Sequence, residues 1–221
     1  MKLGFPLVFL SLALAAPSLA HATPVTYDGI TFPGGDLSFA DQVISWDFGV
    51  VAPTDPDYTD PTAAIGPPDY SGSLGSFSLG AGGSLVLRFT DNSLTGSGTS
   101  DFDLHIFEIG PDVEDTDVWI SIDGLDWLSV GKVFGATSSI DIDPYLTSAG
   151  LAADTRFSYV RLQDIYGEGA TAGSTVGADI DAVGAISSAP AVPPSNTIPE
   201  PGILALFGVG LAGLVFRRRR P

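Results

Sequence analysis

Between Thr23 and Ile186 apolar residues alternate with polar ones, and Gly, Pro, Asp, Ser or Thr breaks the alternation about every ten residues. No stretch of this body sustains a 3.6-residue apolar period, so helices are not expected to build it. Ser84 to Thr90 places Leu85, Leu87 and Phe89 on one face. Asp101 to Ile109 does the same with Phe102, Leu104 and Ile106, leaving His105 on the opposite face. Val118, Ile120 and Ile122 line a strand that runs into Asp123-Gly124, a hairpin signal, and Trp127 to Val133 returns from it. Phe157–Leu162 and Ala182–Ile186 read as later strands, Val25–Thr31 and Gln42–Phe48 as earlier ones. Short strands at this spacing predict an all-β fold, an antiparallel jelly-roll-like β-sandwich.

The chain has no cysteine. An exported domain of this kind then has no disulfide framework and relies on its own core or on metal ions. Thiolate zinc sites, cysteine nucleophiles and iron–sulfur chemistry are excluded with it.

Export is expected from the N-terminus. Lys2 precedes an apolar run from Leu3 to Ala16, and Ala20-His21-Ala22 is an A-x-A cleavage site, which makes residues 1–22 a signal peptide and signal peptidase a partner. At the other end Pro199-Glu200-Pro201 leads into the apolar segment Gly202 to Phe216, followed by Arg217, Arg218, Arg219 and Arg220. From Ile203 to Phe216 there are fourteen residues, roughly 21 Å of helix, against about 30 Å for a full span. Such a segment suits transient insertion into the inner membrane, with the arginines kept cytoplasmic. This tail, residues 199–221, resembles the PEP-CTERM sorting signal of Gram-negative bacteria. The resemblance implies processing by an exosortase-type membrane protease near the motif, then release or attachment at the cell surface, typically in bacteria that make exopolysaccharide and biofilm matrix. Residues 187–198, with Pro190, Pro193 and Pro194, read as an extended linker between the sandwich (23–186) and the tail.

Of nine Lys and Arg, five lie in the two end segments; of 26 acidic residues, only Glu200 does. The body therefore sets four basic residues (Arg88, Lys132, Arg156 and Arg161) against 25 acidic ones, a net charge of −21. No nucleic acid partner is expected, because little could neutralise its phosphates. A surface this acidic collects cations.

Asp-x-Asp occurs five times, at Asp55/Asp57, Asp101/Asp103, Asp115/Asp117, Asp141/Asp143 and Asp179/Asp181. In a strand such a pair shares a face, and the two carboxylates repel unless a cation lies between them. Ca2+, which takes 6–8 oxygen ligands, suits an acidic, cysteine-free exported sandwich. Asp36 and Asp41 precede the first well-patterned strand, and Asp179 and Asp181 open the last. If first and last strands are neighbours, these four could share a structural calcium ion. Asp112, Glu114, Asp115 and Asp117 form a second acidic loop.

Catalysis finds little support. His105 is the body's only histidine, no G-x-S-x-G elbow exists, and a two-histidine zinc site is impossible. The expectation is a non-enzyme. Tyr70 and Tyr166, beside turns, are candidates for stacking on a sugar face.

Ala64-Ile65-Gly66-Pro67-Pro68-Asp69, Val118 to Gly124 with Trp127, and Phe157-Ser-Tyr-Val-Arg-Leu162 resemble stretches of galactose-binding-like, discoidin-type jelly rolls. The resemblance spans about residues 25–186 and implies a jelly roll with a structural calcium and glycan binding on loops at one end. The reading that follows is a non-catalytic, calcium-stabilised protein of the cell surface or extracellular matrix that binds or embeds in exopolysaccharide. The alternatives are a purely structural acidic coat and an extracellular glycoside hydrolase.

Overall fold

The structure is a computed structural model and describes residues 22–72, 74–110, 114–134 and 138–193. The signal-peptide core and the sorting tail fall outside the described residues, as does Asp112. Among the described residues no helix is long and apolar enough to cross a membrane.

Strands run in chain order as β1 (Val25–Tyr27), β2 (Ile30–Phe32), β3 (Gln42–Asp47), β4 (Phe77–Ser78), β5 (Ser84–Arg88), β6 (Asn92–Leu94) and β7 (Leu104–Glu108). They continue as β8 (Asp115–Ser121), β9 (Leu128–Phe134), β10 (Ser138–Ile140), β11 (Tyr159–Asp164), β12 (Asp179–Ala185) and β13 (Ser188–Pro190). One short helix, α1 (Asp143–Ser148), follows β10. Five strands pair in the order β3-β5-β11-β8-β9 and four in the order β10-β7-β12-β4, with β1-β2 and β13-β6 as separate ribbons. Every pairing is antiparallel, so the all-β antiparallel expectation holds.

Period-two alternation produces the sandwich. Leu85 and Leu87 of β5, Val160 and Leu162 of β11, and Val118 and Ile120 of β8 project from the five-stranded sheet into one core. They meet Leu104 and Ile106 of β7 and Ile180 and Val183 of β12 from the four-stranded sheet. Each such side chain contributes roughly 1.5–3 kcal/mol by leaving water. The alternate residues of β5 and β11 face outward and are half-buried.

The four-stranded sheet is covered on its other face too. Phe32, Phe39, Phe107 and Ala182 form a second buried cluster, with Val25, Tyr27, Ile30 and Ile186 packed against it. The β1-β2 ribbon is the lid, which is why β7 is buried along its whole length. His105, on the face opposite the main core, is covered by this lid: it is 3% exposed, with its ring edge-on to Phe107 at 4.5 Å.

Two inward assignments from the sequence need correction. Phe102 precedes β7 and is 54% exposed, while Asp103 is buried next to it. Ile122 lies just past the end of β8, in the turn, and is also exposed. The linker boundary shifts as well, because Ser188–Pro190 pair with β6 through Ser188↔Leu94 and Pro190↔Asn92. Pro190 is tolerated there because it ends a two-stranded ribbon, where a missing N–H costs no interior ladder bond.

Candidate metal centre

Asp103, Asp141 and Asp143 converge where β7 begins and β10 passes into α1. One carboxylate oxygen from each lies within 4.8 Å of the other two. Calcium–oxygen bonds of about 2.3–2.6 Å place ligands on opposite sides of the ion at roughly that separation.

The backbone fixes each member. The Asp103 N–H donates to the Ile140 carbonyl at 2.9 Å, and its own carbonyl accepts from Ile186 and Ser187. Asp103 Oδ2 accepts the Ile142 N–H at 2.9 Å. Its Oδ1 is buried with no hydrogen-bond partner. The nearby Ser97 hydroxyl gives its bond to Asp143 Oδ2 at 3.2 Å, beside the Gly98 N–H at 2.7 Å. Asp141 Oδ1 accepts the Asp143 N–H at 3.0 Å. Gly96 backs directly onto the Asp143 carboxylate, where any side chain would collide with it.

Burial pushes the Asp103 carboxyl up to about 6, against the Ile142 N–H, which favours the charged form. A buried carboxylate with one unpartnered oxygen, close to two more carboxylates, is costly unless a proton or a cation compensates it. The donor set is all oxygen, as calcium prefers. Beside it opens a cleft of about 510 Å³ lined by Gly98, Thr99, Asp141, Asp143 and Thr147.

The four aspartates singled out from the sequence are dispersed. Asp36 is exposed and accepts the Tyr27 hydroxyl at 3.3 Å. Asp41 caps the end of β5, accepting the Thr90 N–H at 2.9 Å and the Thr90 hydroxyl at 2.7 Å. Asp179 accepts the Ser78 hydroxyl across β12-β4. Asp181 accepts the Asp69 and Tyr70 N–H groups at 3.1 and 3.2 Å. Each satisfies a local donor, and among the described residues no three-carboxylate group includes any of them. The observed cluster joins members of two other Asp-x-Asp pairs, Asp101/Asp103 and Asp141/Asp143. The repeated motif was the signal; their meeting depends on β10 pairing with β7, which local pattern does not reveal.

Tyr70 turns its hydroxyl onto the Gly72 carbonyl at 2.5 Å. Tyr166 stands 60% exposed, its base against Gly82. His105 Nδ1 lies 2.6 Å from Ser139 Oγ, and burial pulls its pKa down to about 4.

Among solved structures, a chain titled "Glycoside hydrolase" aligns with 12% sequence identity and a TM-score of 0.35, over 65% of this chain and 31% of its own. This chain thus spans about a third of that protein's length. No curated protein matches the sequence. The family model of the PEP-CTERM protein-sorting motif matches residues 197–220. The chain therefore carries a PEP-CTERM sorting motif, which implies export and processing by an exosortase, a membrane protease.

Proposed function

We propose that the processed body is a non-catalytic, calcium-stabilised module of the cell surface or extracellular matrix that binds or embeds in exopolysaccharide. Two observations carry the calcium assignment: the convergence of the Asp103, Asp141 and Asp143 carboxylates, and the buried Oδ1 of Asp103 that finds no hydrogen-bond partner. An ion held there would tie the start of β7 to the β10-α1 connection, 38 residues or more along the chain. It would do in a cysteine-free protein what a disulfide does elsewhere.

The non-catalytic reading rests on His105, the one histidine of the body, being sealed between a lid ribbon and a sheet with its proton affinity lowered. A general base must reach substrate, and this one does not. The surface role follows from the sorting motif together with a net charge of −21 between Thr23 and Ile198.

The test is thermal melting of the exported protein with calcium and with EGTA, followed by titration with the producing host's exopolysaccharide. A higher Tm with calcium and saturable binding are expected. Identical melts would remove the calcium assignment. A folded protein with no glycan binding would leave the acidic-coat reading in its place.

A further inference from the structure

Three of the four cations of the body share one face. Arg88, Arg161 and Lys132 lie on the outward side of the five-stranded sheet, whose inner side makes the core. Register fixes their arrangement. Arg88 stands opposite Tyr159, and Arg161 stands between Val86 and Trp119. The Arg88 guanidinium carbon lies 5.3 Å from the centre of the Tyr159 ring, and that of Arg161 lies 5.1 Å from Trp119. The two stacks occupy diagonal positions on neighbouring strands, roughly 7–8 Å apart.

Both arginines lack an acidic partner. Among the described residues the ion pairs are Lys132–Asp115 and Lys132–Glu168. Arg161 gives one N–H to Gln163 Oε1 at 2.8 Å, and Arg88 Nε is buried without a partner. With 25 carboxylates in the body, these two central arginines stand out as cations without an ion-pair partner among the described residues. A guanidinium stacked on a ring is held rigid and offers a carboxylate the planar, bidentate donor geometry that lysine lacks. Asp47 and Asp117 bound the positive area at one end of the face, where Lys132 is already engaged.

We infer that the outward face of the five-stranded sheet, centred on the Arg88–Tyr159 and Arg161–Trp119 stacks, docks a carboxylate-bearing polysaccharide. This deepens the polysaccharide reading above and rests on it. Charge complementarity selects an acidic occupant. The face's own chemistry favours a glycan over a second copy of the chain: around the stacks stand Ser45, Ser84, Ser129, Gln42 and Gln163, which suit hydroxyl groups, with Val86 among them, while the sheet's exposed apolar side chains, Ile44, Trp46 and Phe134, belong to its edge strands β3 and β9. A protein interface would need a more apolar centre.

The exported protein is loaded with calcium, freed of excess ion, and titrated with polygalacturonate, its methyl ester and dextran in sodium buffer. Saturable binding of polygalacturonate is expected, at least tenfold tighter than of the methyl ester. The R88Q/R161Q variant is expected to lose at least tenfold with an unchanged melt, and R161K to fall between. Unchanged affinity in R88Q/R161Q would overturn the sheet-face site. Equal binding of charged and neutral polymers would overturn the anionic specificity and leave polysaccharide binding standing. No binding of these polymers, with the host exopolysaccharide still bound, would overturn this inference alone; loss of both would overturn the broader reading too. Concentration-dependent dimers that disappear in R88Q/R161Q would reassign the face to self-association.

Discussion

Asp181 reaches across 112 residues to hold Asp69: its Oδ1 accepts the Asp69 N–H at 3.1 Å and, from the same oxygen, the Tyr70 N–H at 3.2 Å. The long loop before β4 is thereby fastened to β12 in the buried four-stranded sheet. Burial pushes the Asp181 carboxyl up to about 6, and the two N–H groups work against that rise. Asp181→Ala leaves both donors without their acceptor and is expected to cost about 2–3 kcal/mol in chemical denaturation. The cost is expected to be the same with calcium and with EGTA. A loss confined to calcium buffer would return Asp181 to the list of metal ligands.

Asp103→Asn separates the proposed metal role from the fold. Asparagine keeps an oxygen for the Ile142 N–H but removes the charge that faces Asp141 and Asp143. In EGTA the variant is expected to melt at or slightly above the wild-type Tm, because one of three crowded carboxylates has been neutralised. In calcium it is expected to show little of the wild-type rise. Titration calorimetry should find calcium affinity at least tenfold weaker.

Glu108 sets a pH dependence. It sits in β7 with Oε1 buried and unpartnered, and burial, then repulsion from Glu114, Asp179 and Asp164, pushes its pKa up to about 8. The folded state keeps a proton that the unfolded chain has already released. Stability from this group is full below pH of about 4.5 and is lost as pH rises to about 8. His105 acts with the opposite sign, but only below its unfolded value of about 6.5, since its folded pKa is about 4. Between pH 6.5 and 8 the Glu108 contribution therefore stands largely uncovered. The melt in EGTA is expected to fall across that window, by at most about 1.4 kcal/mol per pH unit. Glu108→Gln should flatten most of the slope; a slope unchanged in the variant would assign it to another group.

The sandwich was legible because its five-stranded sheet has one wet face, so β5, β8 and β11 alternate openly. The Asp123-Gly124 turn was legible because it is built locally: Asp123 Oδ1 accepts the Leu125 and Asp126 N–H groups at 2.8 and 3.1 Å, and Gly124 has φ +78°. What failed were features that depend on distant partners. β7 is dry on both sides because β1-β2 folds over it, and nothing local in Leu104–Glu108 announces that lid. β4, β6 and β13 are two or three residues long and exist through their pairing. The three-carboxylate cluster was hidden among five similar Asp-x-Asp pairs, and tertiary pairing alone selects one member of Asp101/Asp103 and both of Asp141/Asp143. The sheet-face arginines were visible as scarce cations, but their shared face needed the register.

The lid ribbon makes the last prediction. Gly184 is the penultimate residue of β12, opposite His105. A methyl group there would sit 2.5 Å from the Phe32 ring and 3.0 Å from Phe39. Those two rings pack 4.7 Å apart and are almost wholly buried, so neither has space to retreat. Gly184→Ala should displace Phe32 and loosen β1-β2 from the sheet, with a loss of about 1–3 kcal/mol from overpacking. Phe32→Ala removes the ring altogether and should cost more, about 3–5 kcal/mol. Because the methyl group needs the space that the ring occupies, the double variant should be less destabilised than the sum of the two single ones. Hydrogen exchange offers the local readout: the amides of β1 and β2 should lose protection in both single variants, while those of β5 and β11 keep it. Uniform loss across all strands would mean that the ribbon and the main sandwich unfold as one unit.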